Sequence, residues 1–497
     1  MPKVKQLDNK FSGNNNICVF PALEVLHMKG LQLLEDLFDK EGAATDEYFF
    51  PCLTELFLDD CPNLQELSYL PPKLKKMQIH EVGWKTALNC KKGSNKCCGI
   101  SKSIPLESLE VLSCPNITSL LQADARLEAL RELTIKRCPN LISLGGLQQV
   151  ESGIEKFQLI LSVVVIDDPS LLPKVSIASL EKLTICDNVL LVSFTIEAEQ
   201  WFPHVSSSLR ELSFSGPNSL QSLPSSWESL SSLKILRVER VPQLQQLPHI
   251  PSSLERLELY FLKSLQCLPS SLSAISSLNQ LELESIPLIK SLPELPSSLN
   301  SLYIDRLDNL QFLPSSLSAI SSLNGLRLNG IPLLKSLPEL PLSLNSLHLW
   351  YLDNLECLPS SLSAISSLKK LSLAFIPLLK SLPDLPSSLD SLHLSNLDNL
   401  QCLPSSLSAI SSLSLVKIPL LESLPELSPS LSFLYIISLD NLQFLPSLSA
   451  ISSLKHLSLD NIPLLKSLPD LPSSLHSIEV ENCHPELMKR YKKFSSS

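Results

Sequence analysis

The phrase LPSSLSAISSL stands at 268–278, 313–323, 358–368 and 403–413, each copy 45 residues after the last. A shortened copy, LPSLSAISSL, follows at 445–454, and a looser one, LPSSWESLSSL, precedes them at 223–233. Repetition at a fixed period of this size restricts the chain to a stacked architecture, in which each unit buries its faces against like neighbours. Between the copies runs a second phrase, such as SLPELPSSLNSL at 291–302, so the unit is two coils of 24 and 21 residues. Both coils carry L-x-x-L-x-L, as in Leu278/Leu281/Leu283 and Leu299/Leu302/Ile304.

That skeleton is a leucine-rich repeat. Alternation in its last residues puts leucines on one face of a strand and the x residues on the other. A single coil of this length cannot bury enough apolar surface to offset the ordering of its backbone, so stability requires stacking. The predicted fold is an α/β leucine-rich repeat solenoid of about 20 coils. It has a curved parallel β-sheet on the concave face, with short helical turns and extended segments on the convex face. LPSSLSAISSL, with Leu272 and Ile275 three apart behind a proline, predicts one helical turn. In LPELPSS the prolines stand three apart, at 293/296, 338/341, 383/386 and 469/472, which predicts extended chain.

In chain order, residues 1–22 form a polar lead-in and 23–208 irregular repeats with inserted loops at 37–48 and 85–104. Residues 209–482 hold regular repeats, alternating 24 and 21 residues over most of their length, and 483–497 a C-terminal cap and tail. Leading aliphatic positions fall at 23, 53, 74, 106, 130, 154, 180 and 209, and continue to 475. PELMKRYKKF near the end predicts a short helix with basic residues near its C-terminus, where the dipole favours them.

A net charge of −10 argues against a nucleic-acid groove, which needs clustered cations. No run of 18 uncharged apolar residues appears, so no membrane span is expected. The first residues, MPKVKQLDNKFSGNNN, lack the apolar core of a secretory signal, and Asn116-Ile117-Thr118 is the only glycosylation sequon. Thirteen cysteines are scattered without a framework spacing. Cys61, Cys114, Cys138 and Cys483 share one repeat position and Cys267, Cys357 and Cys402 another, so both sets are read as small buried apolar residues. These features favour a reducing, cytoplasmic setting.

No phosphate loop, H-E-x-x-H or G-x-S-x-G is present, and neither a cofactor nor enzyme activity is expected. Cys90, Cys97 and Cys98 lie among lysines, but the spacing is not that of a zinc site and reads as a basic insertion. His456, His476, Cys483 and His484 gather near the end, more simply as chance histidines on an open face than as a site. The repeated P-x-x-P beside Lys290, Lys335 or Lys380 mimics a proline-rich ligand, yet its periodicity marks it as scaffold.

The sharper signal comes from aligning the chain with itself. Between 299–343 and 344–388, 13 of 45 positions differ. Ten positions per unit face outward from the strands by pattern, and eight of those differ, against five of the other 35. The pairs include Tyr303/His348, Asp305/Trp350, Arg306/Tyr351, Arg327/Ser372 and Gly330/Phe375. The serine pairs of the return path serve as exposed positions that did not change. Aromatics are only 5% of the chain, yet Tyr260, Phe261, Tyr303, Trp350, Tyr351 and Phe375 all fall on this face. Such residues, with Arg306 and His348, are typical interface anchors, so these eight form a candidate protein-binding surface.

FPALEVLHMKGLQLLEDLF at 20–38, FPCLTELFLDDCPNLQEL at 50–67, LRELTIKRCPNLISL at 130–144 and ENCHPELMKRYKK at 481–493 resemble a known family. It is the leucine-rich repeat region of plant coiled-coil nucleotide-binding disease-resistance proteins, with C-P-x-L after the strand. The resemblance implies an effector-sensing and autoinhibitory repeat domain of an immune receptor. Its protein partner would be a pathogen effector, the nucleotide-binding domain of a resistance protein, or both. That domain is not in this sequence, so the switch would belong to another chain or a longer product. The middle coils also depart from the family. Ile286, Leu307, Ile331, Leu352 and Ile376 replace its Cys or Asn, which predicts that no polar ladder satisfies the loop amides there. Two alternatives stand: a generic leucine-rich adaptor, or repeats similar to those of bacterial secreted ubiquitin ligases without their catalytic part.

Overall fold

In the computed structural model, the L-x-x-L-x-L segments of the repeats, such as 278–283 and 323–328, run into short strands whose alternate side chains are buried. The structure describes residues 20–35, 50–64, 71–88, 105–121, 129–141, 147–150, 153–156, 158–159, 161–174, 176–177, 179–188, 190–405, 407 and 409–491. The expected loop at 37–48, the cysteines at 90, 97 and 98, and most of the lead-in lie outside them. The chain divides into two units, Met1–Val241 and Pro242–Ser497.

Among the described residues, the first unit contributes nine strands to its main sheet, from Val25–Lys29 to Ile235–Glu239. The second contributes eleven, from Arg256–Tyr260 to Ser477–Glu481. Seven of the latter are used below: β1 Arg256–Tyr260, β2 Gln280–Glu284, β3 Ser301–Asp305, β4 Gly325–Asn329, β5 Ser346–Trp350, β6 Lys370–Ala374 and β7 Ser391–Ser395. Each pairs in parallel with the next without a slip, so Leu302, Leu326, Leu347 and Leu371 stand side by side. All four are buried, which pins the register, because a one-residue shift would turn the whole leucine set outward.

In the first unit, one expected register is corrected. Position 154 does not lead a main-sheet strand; Gly153–Lys156 instead pairs antiparallel with Leu147–Val150. The coil begins seven residues later, where Leu161, Val164 and Ile166 supply the buried skeleton and Val163–Ile166 joins the sheet. The β-branched run at 163–166 offered several strand phases, and burial selects the one that continues the leucine column. Pattern reading also missed helix α1, Ile196–Trp201. Thr195 caps it by accepting from the Ala198 N–H at 3.2 Å, and Ala198 and Trp201 face the core.

The return paths follow the two expected forms. LPSSLSAISSL makes a tight 3-10 turn at Ser270–Ala274, Ser315–Ala319 and Ser360–Ala364. There Leu317 N–H reaches Pro314 O and Ile320 N–H reaches Leu317 O, both at 3.2 Å, while both side chains are buried. The proline segments run extended, as their fixed φ and missing donors require. At the end, helix α2, Pro485–Tyr491, buries Leu487 and carries Lys489 and Arg490 in its last turn.

Polar ladders run through both return paths. The expectation for the middle coils concerned the loop amides; the ladder found there serves carbonyls instead. Asn309, Asn354, Asn399 and Asn441 each donate to a proline carbonyl of the preceding coil, at 2.6–2.8 Å. The donor comes from the residue two places beyond the position at which the family carries Cys or Asn. The serine pairs are also less free than their type suggested. Ser298, Ser343 and Ser388 donate to Leu278, Leu323 and Leu368 carbonyls at 2.7–2.9 Å. Ser277, Ser322 and Ser367 do the same for Leu254, Leu299 and Leu344. Their constancy follows from satisfying otherwise orphaned carbonyls.

The cysteines separate into two classes. Cys61, Cys114, Cys138 and Cys483 are buried as expected, whereas Cys267, Cys357 and Cys402 are exposed. The second set was expected inside. It follows a Gln or Glu at the surface of the loop leaving the strand, a position that holds exposed Phe312 in another coil.

Candidate functional site

On the sheet of the second unit, the outward residues align in columns set by the parallel register. One column runs Tyr303, Arg327, His348, Ser372, His393, and the next runs Asp305, Asn329, Trp350, Ala374, Ser395. A third column lies just past each strand end and contains Phe261, Arg306, Gly330, Tyr351, Phe375 and Asn396.

That third column has an unusual backbone. Phe261, Arg306, Tyr351 and Phe375 have φ of 57°, 52°, 53° and 55°, while Gly330 reaches 63° and Asn396 52°. The conformation lets each N–H cross to the next coil, as Tyr351 N–H does to Ala374 O at 2.9 Å and Phe375 N–H to Ser395 O at 3.0 Å. Glycine and asparagine meet this geometry at least cost, and bulky residues meet it under strain. Two aromatics stand there in consecutive coils, and their outward side chains do not stabilise the core.

The aromatic cluster has defined geometry. Tyr351 and Phe375 stack with ring centroids 4.2 Å apart and planes 7° from parallel. Trp350 meets the His348 ring edge-on at 5.6 Å and donates its indole N–H to Ser372 Oγ at 2.9 Å. Trp350, Tyr351 and Phe375 remain 38%, 49% and 37% exposed, enough for a partner to cover them. Their neighbours Ser372 and Ala374 are buried, as is Asp305, so not every outward position on these strands is open.

Toward the start of the unit the face is polar and internally paired. Tyr260 donates its hydroxyl to Glu282 at 2.5 Å, and Arg306 pairs with Glu284 and, at 3.3 Å, with Asp305. Asn329 Nδ2 donates to Asp305 Oδ1 at 2.6 Å. The Arg306 guanidinium also stands 5.9 Å from the Phe261 ring. Burial pushes the Tyr303 hydroxyl pKa up, with the Asp305 and Glu284 charges adding to it.

The eight sequence-predicted residues therefore form two groups. His348, Trp350, Tyr351 and Phe375 make one packed cluster over β5 and β6. Tyr260, Phe261, Tyr303 and Arg306 lie in the paired polar region over β1 to β3. Arg327, Lys369 and Lys370, varied strand-face positions in the self-alignment that were not among the eight, lie on this face as exposed cations. Sequence reading passed over a second aromatic group, where Phe433 stacks on His456 at 5.0 Å beside Tyr435. Register alone would have found it, since each residue continues one of the columns.

The geometry offers contact surface and no reacting group. Among the described residues, no three His, Cys, Asp or Glu side chains come together as metal ligands. Among them, too, no helix is long and apolar enough to cross a membrane.

No family model matches the chain, and no curated protein matches it. Solved structures do. A leucine-rich repeat protein of Leptospira interrogans is 20% identical at a TM-score of 0.43, covering 74% of this chain and 88% of its own. YopM of Yersinia enterocolitica is 24% identical at 0.45, with 92% and 91% covered. A plant peptide hormone receptor, solved in complex with a peptide, is 15% identical at 0.30, with 93% and 80% covered.

Proposed function

We propose that this chain is a non-enzymatic protein-recognition module that reads its partner through the open sheet face of the second unit. The cluster of His348, Trp350, Tyr351 and Phe375 is the anchor, and Tyr303 and Arg306 flank it. One observation carries the reading: Trp350, Tyr351 and Phe375 gather on the sheet face 37–49% exposed, in a chain whose aromatics are only 5%.

The internal comparison supports the same surface. The serine pairs are set aside as controls because they are hydrogen-bonded, but truly exposed positions replace them. Asp308, Ala319 and Lys335 are exposed and identical to Asp353, Ala364 and Lys380. Gln311, Phe312, Glu339 and Leu342 are exposed and did change, so variation is more frequent on the sheet face, at eight of ten positions against five of 35, without being confined to it. The resemblance to the repeat region of plant resistance proteins makes a pathogen effector or a nucleotide-binding domain the partner, in the cytoplasm.

The test compares Trp350→Ala/Tyr351→Ala with the return-path variant Ser321→Asp/Ser366→Asp for binding to candidate effectors and nucleotide-binding domains. Circular dichroism checks the fold of both. Truncated anchors of this type lose about 2 kcal/mol or more, roughly 30-fold in affinity. Strand variants that keep full binding while the return-path variant loses it place the interface on the other face and overturn the reading.

A further inference from the structure

The sheet face over β4 to β6 carries unneutralised positive charge in a chain whose net charge is −10. Arg327, Lys369 and Lys370 are exposed, and none has a side-chain partner among the described residues. Asp390, whose N–H donates to the Lys369 carbonyl from the next coil, is the carboxylate beside Lys369. Glu282 is engaged by Tyr260, Glu284 by Arg306, and Asp305 by Asn329 and Arg306, which leaves Arg327 and Lys370 as the cations without an acidic neighbour.

Two buried polar atoms on the same patch lack partners, His348 Nδ1 and Asn329 Oδ1. They sit on adjacent strands, since Asn329 is in register with Trp350 and Arg327 with His348. The charged and titratable neighbours of His348 are Arg327 on β4, Lys370 on β6 and His393 on β7, none of them acidic.

We propose that this patch is a carboxylate subsite, and that the partner supplies an extended acidic segment. An Asp or Glu side chain seats between Arg327 and Lys370 over His348. An adjoining apolar residue covers the Tyr351–Phe375 stack. This rests on the sheet-face reading above and specifies the chemistry of its partner. A consequence follows for pH. Burial, with Arg327, Lys370 and His393, holds the His348 imidazole below its ordinary range, so it is neutral in the free protein near pH 7. A carboxylate placed beside it favours the charged form, so binding takes up a proton and strengthens as pH falls.

The experiment uses the full chain and a phage-displayed library of random dodecapeptides, with the strongest selected sequence synthesised and titrated. The expected sequences place Asp or Glu beside an apolar residue. Lys370→Glu and Arg327→Glu each weaken the synthetic peptide at least about tenfold, while Lys466→Glu, exposed at another surface, leaves it unchanged. Wild type binds roughly fivefold or more tightly at pH 5.5 than at 7.5, where the peptide carboxylates remain ionised, and His348→Gln abolishes that difference. Peptides that respond to Trp350→Ala/Tyr351→Ala but show neither acidic preference nor sensitivity to Lys370→Glu overturn this inference and leave the face intact. Peptides that respond to none of these variants overturn both. A selection returning no sequence that Lys370→Glu weakens also overturns the subsite.

Discussion

Tyr351 and Phe375 stack face to face at 4.2 Å, each from a backbone with φ above 50°. The pair is stabilised by the contact and destabilised by the conformation that presents it. A stack of this kind contributes about 0.5–1.5 kcal/mol beyond burial, and a left-handed bulky residue costs about 1–3 kcal/mol. These opposing effects lead to an unusual expectation for Tyr351→Asn. Chemical denaturation should find its stability within about 1 kcal/mol of wild type, while partner affinity falls about 30-fold. A large loss of stability would show that Tyr351 belongs to the fold and not to a binding surface.

Leu326 tests the register. It is fully buried between Leu302 and Leu347 in the leucine column of β3 to β5. Leu326→Ala should cost about 2–5 kcal/mol. In a stacked array the damage stays near its own coil, so hydrogen exchange should show it at β3 to β5 before the terminal strands. An unchanged denaturation midpoint together with unchanged exchange would refute the register.

The asparagine ladder makes a second stability test. Asn354 Nδ2 donates to Pro332 O at 2.7 Å across adjacent coils. Asn354→Ala leaves that carbonyl without its donor and should cost about 1–3 kcal/mol. Equal stability, measured by urea denaturation, would mean that water replaces the amide freely.

Much of the fold was legible because leucine repeats at spacings that only a parallel solenoid can bury. The column Leu302–Leu326–Leu347–Leu371 was readable as written. What sequence did not reveal lies where two phases satisfy the pattern equally. Ile154 and Leu161 both begin an aliphatic run, and only the strand pairing distinguishes them. Cys357 and Cys138 are the same residue type in opposite environments, because one follows the loop outward and the other faces the core. For the candidate surface, identities and strand face were readable from duplication. The left-handed column beneath Tyr351 was not, since no glycine marks it there. The serine ladder was hidden for a related reason: a half-buried hydroxyl and a solvated one have the same letter.

Burial holds both His348 and His393 below the ordinary imidazole range. The unfolded chain then binds more protons than the folded one as pH drops below about 6.5. Stability from these groups is therefore present above the unfolded pKa and is lost as pH falls through the folded values. Hydrogen exchange of β5 and β7 at pH 5 against pH 7.5, corrected for intrinsic rates, should show reduced protection at the lower pH. His348→Phe/His393→Phe should reduce the difference. Protection that rises toward low pH would reverse the sign of the argument.

The central claim is that partners are read on the sheet face, and hydroxyl-radical footprinting of a bound complex tests it most directly. Trp350, Tyr351 and Phe375 report on that face, while Phe312 and Phe444, 63% and 73% exposed on the return path, report on the rest of the same unit. The account predicts that oxidation of the three strand-face residues falls several-fold on binding, with Phe312 and Phe444 unchanged. Protection of Phe312 and Phe444 with full oxidation of Trp350, Tyr351 and Phe375 would contradict it.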